Sequence, residues 1–379
     1  MANKVIVTIV SEQTVPNVLF IKEFSAADKY IFVSTEKMES PTRNTTEKII
    51  DAAGIAKSKI KTIVVIEDSL LDIDTKLIEQ LDIEDDDNVL VNITGGTKIM
   101  SLGVYNYFSR NGAADIYYIP IGKNEIRQVF PLRKNRIKSL EFRINLLDYL
   151  KAYGVQVQPV SYSSKNTFLK PVEQTSALFK SFITNRSELY YNAEEIRINN
   201  FRGKKIEKNN EAQNKIFESA LVFSNYGVVF DSSDTISKGE TKYLTGEWFE
   251  EFVYPIIKRT LNKNDDEIGM GVQLIKGDTP NEYDIVFTHN NSLYVIECKT
   301  DIADNEEGKI SYLFTNTLYK AATLKKEFGL WVNYFLFALN DFSDLKEEQK
   351  SRAKLLDIKL VGLEILTNEE TLVEYITNM

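Results

Sequence analysis

From the N-terminus to about Arg143, short apolar runs alternate with stretches of helical spacing. Val5–Val10, Tyr30–Val33, Ile63–Ile66, Val89–Ile93 and Ile116–Ile119 read as strands, brief and rich in β-branched and aromatic residues. Pro16–Phe24, Thr46–Ala53, Asp74–Leu81 and Thr97–Ser109 fall between them and read as helices. Pro16 stands in a first turn, where its missing N–H costs nothing, and Thr45 or Thr46 is placed to cap the next helix. Strands alternating with helices predict βαβ units and a mostly parallel sheet, an α/β, Rossmann-like domain over residues 1–143.

The pattern then changes. Residues 144–225 are more polar and predict a helical connector: Asn145–Tyr153, Ser176–Ile183 and Glu211–Phe223 have helical spacing, and Val155–Thr167 reads as a linker. Residues 226–379 predict a second α/β domain. Its first helix, Leu244–Leu261, gathers Trp248, Phe249, Phe252, Val253, Ile256 and Ile257 on one face, with Pro255 inside it. Strands Ile268–Ile275, Glu282–Phe287 and Leu293–Cys298 follow, then helix Thr315–Phe328 and strand Trp331–Ala338.

Composition narrows the classes. The chain has 379 residues, 43% hydrophobic and 27% charged, as in ordinary globular proteins, and no apolar run long enough to span a bilayer. The N-terminus enters a strand pattern directly, without a signal-peptide pattern, so the expected location is the cytoplasm. One cysteine, Cys298, excludes an internal disulfide and a multi-cysteine zinc site. One histidine, His289, excludes a two-histidine metal site within the chain, and nothing near it suggests a Ser-His-Asp triad. A net charge of −9 argues against coating nucleic acid by bulk charge. It leaves room for a local basic groove, and Arg202-Gly-Lys-Lys205 is either part of one or a solvated face. Chemistry should therefore rest on carboxylates and lysine.

Two places carry such chemistry. In Leu293-Tyr-Val-Ile-Glu-Cys-Lys299, strand alternation puts Glu297 and Lys299 on one face and Cys298 on the other. A hairpin with the preceding strand brings Asp284 beside Glu297. Two carboxylates and a lysine at one point can hold a divalent cation and a phosphate together. The second place is Asn92-Ile-Thr-Gly-Gly-Thr-Lys-Ile-Met100, between a strand's C-terminal end and a helix, where open parallel sheets bind ligands. Gly95 and Gly96 let a ligand approach the backbone, Thr97 adds a hydroxyl and Lys98 a charge. The order Gly-Thr-Lys is not that of a Walker A loop. Ser11, Gln13 and Thr14 after the first strand, and Thr35 after the second, end at the same edge.

The pair Ser11-Glu-Gln-Thr-Val-Pro-Asn17 and Asn92–Met100 resembles a CRISPR-associated Rossmann-fold (CARF) domain, which senses cyclic oligoadenylates made by type III CRISPR complexes. The resemblance implies that Gly95, Gly96, Thr97 and Lys98 contact the ligand, with Ser11, Gln13, Thr14 and Thr35 around it. It also implies a homodimer and, in this subgroup, cyclic tetra-adenylate as activator. Asp284…Glu297-Cys-Lys299 resembles the PD-(D/E)xK restriction-endonuclease-like core, with Tyr283 where that family often has proline. This implies Mg²⁺ or Mn²⁺ on Asp284, Glu297 and the Cys298 carbonyl, Lys299 as a catalytic residue, and a helix glutamate. Glu250 is the choice for that glutamate, Glu247 and Glu251 its alternatives, and Lys320 a candidate phosphate contact. Together the two sites resemble CARF nucleases of the CRISPR ancillary DNase type. The expected function is antiviral defence by cutting single-stranded DNA or RNA, or nicking DNA. The rival is a ligand-sensing CARF transcription regulator without nuclease activity, which would need a basic helix-turn-helix. A HEPN ribonuclease is excluded, because its Arg-x-x-x-x-His motif is missing.

Overall fold

A computed structural model of the chain describes residues 2–112, 114–134, 136–158, 168–276, 279–302 and 312–379. The first sheet is built from β1 (Lys4–Ile9), β2 (Lys29–Ser34), β3 (Ile60–Val64), β4 (Asn88–Asn92) and β5 (Ala114–Tyr118), all parallel, in the order β3-β2-β1-β4-β5. Helices α1 (Val15–Glu23), α2 (Glu36–Glu39), α3 (Thr45–Ala53), α4 (Leu70–Gln80) and α5 (Lys98–Asn111) connect them. Period-two alternation sends Val5, Val7 and Ile9 into a core with Ile73, Val104 and Phe108, while Ile6 packs with Phe20 and Ile49 on the other face. Two buried faces explain why these strands are almost continuously apolar.

In the first sheet two strands lie beyond the predicted set: β6 (Glu125–Phe130) adds antiparallel to β5, and β7 (Ile137–Ser139) antiparallel to β6. Arg127 and Gln128 break the apolar run there, and β7 is wholly exposed, so neither carries a strong hydrophobic signal.

Helix α6 (Leu146–Ala152) leaves the first sheet and packs against α3. It leads into β8 (Gln156–Val157), an edge strand of the second sheet, paired with β11 (Ile268–Lys276). The start of the expected linker is thus a strand; its residues 159–167 lie outside the described residues. Next come α7 (Val172–Thr184), α8 (Arg186–Ile198), β9 (Ile206–Glu207), α9 (Asn214–Leu221), β10 (Thr235–Ile236) and α10 (Lys238–Lys242). A π-helical turn, Tyr243–Glu247, joins α10 to α11 (Trp248–Thr260), which carries Pro255 in its interior.

The second sheet continues with β12 (Thr279–His289) and β13 (Ser292–Lys299), then α12 (Tyr312–Glu327), β14 (Val332–Ala338), α13 (Glu347–Leu355) and β15 (Ile358–Val361). Its order is β15-β14-β13-β12-β11-β8. Two short helices, α14 (Leu363–Leu366) and α15 (Glu369–Thr377), complete the described chain. The β12–β13 hairpin turns on Asn290 and Asn291, both left-handed, which Asn tolerates. His289, beside that turn, is half-buried and lies 3.1 Å from the Asn290 side chain.

One core runs through both sheets. Phe20, Phe32 and Ile49 of the first domain, Tyr149 and Leu150 of α6, and Val295, Tyr334 and Leu336 of the second domain belong to a single buried cluster. Among the described residues, no helix is long and apolar enough to cross a membrane.

Candidate active site and nucleotide cradle

The β12–β13 ladder ends at the pair Ile285 and Ile296. One position further on, Asp284 Oδ2 accepts the Cys298 N–H at 2.7 Å, taking the place of a ladder carbonyl. This hydrogen bond fixes the Asp284 carboxylate against the end of β13. Lys299 Nζ lies 2.7 Å from Glu297 Oε1, 3.4 Å from Asp284 Oδ2 and 3.3 Å from the Cys298 carbonyl. Tyr334 on β14 donates its hydroxyl to Glu297 Oε2 at 3.3 Å, and Lys320 on α12 stands 3.8 Å from Oε1. The thiol of Cys298 is buried with the apolar residues of the opposite face.

Three glutamates on the π turn and α11 point three ways. Glu251 accepts the backbone N–H groups of Leu169 and Lys170 at 2.9 and 3.5 Å. Glu247 pairs with Arg202 and Lys242 at 3.7 and 3.5 Å. Glu250 is buried within electrostatic reach of Asp284, Lys299 and Glu282 on the strands.

The electrostatics follow from this crowding. Burial, with the charges of Asp284 and Glu247, pushes the Glu250 carboxyl well above its ordinary range. Burial, with the Glu297 charge, raises Asp284 to about 6 against the pull of Lys299. Burial also works against the Glu297 carboxylate, but Lys299 and Lys320 overcome it and hold the group below its usual value. Burial works against the Lys299 ammonium as well; Asp284 and Glu297 outweigh it and keep the ammonium protonated. The site thus gathers three carboxyl groups around two ammoniums, and the crowding favours the protonated form of Glu250.

The oxygen donor set fits a hard divalent cation. The oxygens of Asp284, Glu297 and the Cys298 carbonyl are all within reach of one positive point, the Lys299 ammonium. Among the described residues, no three His, Cys, Asp or Glu side chains close to metal-ligand geometry. Lys299 stands among the oxygens that such an ion would use, so binding one requires the ammonium to swing aside.

In the first domain the Gly-Gly loop packs onto the end of β1. A Cβ on Gly95 would meet the Ile9 carbonyl oxygen at 2.3 Å and Ser11 Oγ at 3.2 Å. Gly96 has φ +77 and lies against the Ile9 side chain, so both positions require glycine. Thr97 caps α5 by accepting the Met100 N–H, and its hydroxyl donates to the Glu67 carbonyl at 2.6 Å. Lys98, at the first position of the helix, is exposed. Ser11, Gly95, Gly96, Thr97 and Lys98 thus come together.

The other three predicted contacts are engaged elsewhere. Thr35 caps α2 through the Met38 N–H. Thr14 is buried and donates to the Ala152 carbonyl of α6 at 2.5 Å. Gln13 Oε1 accepts from the Leu330 N–H at 2.9 Å and the Tyr153 hydroxyl at 3.3 Å. Sequence reasoning did not single out Tyr334 or Tyr153; each is one aromatic among many, and only the fold puts it beside a functional group.

Residues 5–149 match the family model described as the Card1 CARF domain, and residues 237–377 match the Card1-like endonuclease domain. The chain is a member of the CARF-domain nucleases. Among curated proteins none matches its sequence. Its fold is similar to Can2 from Sulfobacillus thermosulfidooxidans, solved in complex with cyclic tetra-adenylate, at 18% identity and TM-score 0.70, covering 99% of this chain and 97% of that one. Protein VC1899 from Vibrio cholerae is similar at 20% identity and TM-score 0.73, with 98% of each chain covered. A type III CRISPR defence DNA nuclease activated by cyclic oligoadenylate is similar at 16% identity and TM-score 0.52, over 90% of this chain and 46% of that one. The endonuclease match stands in favour of the enzyme and against the transcription regulator.

Proposed function

We propose that this nuclease is metal-dependent, acts in antiviral defence, and is switched on by cyclic tetra-adenylate bound across a homodimer of CARF domains. The observation that carries the catalytic part is the position of Lys299 Nζ, within 3.4 Å of Asp284, Glu297 and the Cys298 carbonyl. Asp284, Glu297 and the Cys298 carbonyl would hold Mg²⁺ or Mn²⁺, with Glu250 completing the acidic wall. Such an ion, when bound, polarises the scissile phosphate and makes a bound water a better nucleophile. The chain's own groups do the rest. Tyr334 orients Glu297 through Oε2, and Asp284 is fixed by the Cys298 N–H. Lys299, held protonated, meets the negative charge that develops on the phosphate. Its substrate is DNA or RNA, cut in single strands or nicked.

The sensor half rests on the Gly95–Lys98 cradle and on two related proteins, Can2 solved in complex with cyclic tetra-adenylate and the DNA nuclease activated by cyclic oligoadenylate. A helix N-terminus with Thr97 and Lys98 suits phosphate. The dimer is supported by apolar exposure beside that cradle: Leu102, one turn after Lys98, and Leu71 on α4 are 53% and 79% exposed.

The test is cleavage of labelled single-stranded and supercoiled DNA with Mn²⁺, with and without cyclic tetra-adenylate. Wild type should cut only with both. Glu297→Ala should cut under no condition, and Lys98→Ala should lose activation while retaining metal binding. Cleavage that ignores the nucleotide or survives Glu297→Ala would overturn the reading.

A further inference from the structure

Neither family model reaches residues 150–236. From this segment Arg197 and Arg202 lean over the nuclease site. Arg197, on α8, donates through Nε to the Thr245 carbonyl at 3.1 Å and through Nη2 to the Thr300 hydroxyl at 3.2 Å. Its Nη1 pairs with Glu194 at 3.0 Å. Thr245 lies in the π turn that leads to Glu247 and Glu250, and Thr300 is the residue after Lys299. One guanidinium thus braces the helix glutamate and the catalytic lysine against each other.

Beside that brace sits a pair of half-exposed cations. Arg202 and Lys242 have side chains 49% and 48% exposed, and they share the single carboxylate of Glu247, which leaves one charge in excess. Their backbone is held firmly. Thr241 accepts the Gly203 N–H and donates to the Lys204 carbonyl, both at 3.1 Å, so the Arg202–Lys205 turn is tied to α10. The Lys242 stem passes 3.5 Å from where a Gly203 Cβ would lie. Gly246, with φ +146, has the guanidiniums of Arg197 and Arg202 3.6 and 3.9 Å from its own Cβ position. No side chain stands there to separate these cations from a ligand. Lys320, 45% exposed, stands 3.8 Å from Glu297 Oε1.

We infer that Arg202 and Lys242 bind substrate phosphates flanking the scissile one, and that Arg197 is a positioning residue that fixes this patch to Thr300 and the π turn. This rests on the nuclease reading above. A polyanion at the acidic centre has Lys320 beside Glu297 and the Arg202–Lys242 pair beside Glu247 to meet, and Glu247 surrenders its two partners to phosphate. A chain of net charge −9 can in this way grip a nucleic-acid backbone locally.

The experiment measures binding and turnover separately. Affinity for a short labelled single-stranded DNA is followed against salt in the Glu297→Gln background, with cyclic tetra-adenylate present. Steady-state cleavage is followed in the otherwise wild-type chain. Arg202→Ala and Lys242→Ala should each raise KM and Kd about threefold to tenfold, with kcat within about twofold. Each should lower the slope of log K against log salt by about 0.7, the value for one single-strand phosphate contact. Arg202→Lys should recover most of the affinity. Arg197→Ala should lower kcat with little change in salt slope, which a phosphate contact would not do. Melting temperatures identify any variant that fails to fold, and Arg202→Gln then stands in for it. A wild type that cuts, while the Arg202→Ala/Lys242→Ala double variant keeps its KM and salt slope, overturns this inference alone. A wild type that neither binds nor cuts overturns the nuclease reading with it.

Discussion

Gln13, in the loop after the first strand of the sensor domain, accepts the backbone N–H of Leu330 in the nuclease domain at 2.9 Å. Leu330 sits in the turn from α12 to β14. In the same turn, the Phe328 and Trp331 carbonyls both lie 3.2 Å from the Tyr149 hydroxyl. The Trp331 carbonyl also takes the Leu293 N–H near the start of β13. Three residues on, Tyr334 reaches Glu297. Two hydrogen bonds and a short run of backbone thus link the loop after β1 to the Glu297 carboxylate.

Gln13→Ala should therefore damage the coupling more than the ligand site. The lost hydrogen bonds should lower stability by about 1–2 kcal/mol. Affinity for cyclic tetra-adenylate, followed by calorimetry, should change less than about twofold, while the ratio of activated to basal cleavage changes severalfold. A large loss of nucleotide affinity with coupling intact would place Gln13 in the ligand site instead.

Lys299→Ala should separate metal binding from catalysis. The ammonium occupies the position among Asp284, Glu297 and the Cys298 carbonyl that a metal would use. Its removal should tighten Mn²⁺ binding, measured by calorimetry on the nucleotide-free protein, and cut cleavage by about a hundredfold or more. Weaker Mn²⁺ binding would contradict the competition.

Glu251 should give the stability a pH dependence. Burial lifts its carboxyl to about 7 in the folded chain from an ordinary 4.5. The folded state thus binds more protons than the unfolded one between those values. The resulting stabilisation is full below pH 4.5 and is lost as pH rises through 7. Glu251→Gln keeps an oxygen for the Leu169 N–H and removes the titration. Relative to wild type it should gain on the order of 2 kcal/mol on going from pH 5 to pH 8. Parallel denaturation curves at the two pH values would contradict this.

Gly95→Ala should destabilise the sensor by about 1–3 kcal/mol, since its Cβ meets a backbone oxygen rather than a flexible side chain. The melting temperature should fall and nucleotide binding should weaken with it. Leu71→Glu and Leu102→Glu should instead leave the melting of the monomer nearly unchanged and shift sedimentation from dimer to monomer.

Much of this was legible in the sequence. The alternation of Val5, Val7 and Ile9 with Ile6 fixes which residues face which layer, and Asn290-Asn291 marks the hairpin that sets Asp284 beside β13. Side-chain direction in loops was not legible. Gln13 and Thr14 look like Ser11 in the sequence, but their partners lie 317 and 138 residues away, and only the packing of the α12–β14 turn and of α6 against this loop engages them. The choice among Glu247, Glu250 and Glu251 depends on the π turn, where Gly246 at φ +146 resets the helical phase. Strand β8 is two residues long and has no pattern of its own; the edge of β11 supplies it.

The buried cluster that runs from Phe32 through Tyr149 to Tyr334 leaves no bare seam at which sensor and blade could be parted. Cutting the chain after residue 143 would leave α6 on the second domain, part it from α3 and expose a greasy face on each half. Transplanting this sensor onto another effector would require moving α6 and its seat on the second sheet as well. Partner exchange between such modules is thus constrained by a shared interior rather than by the length of a tether.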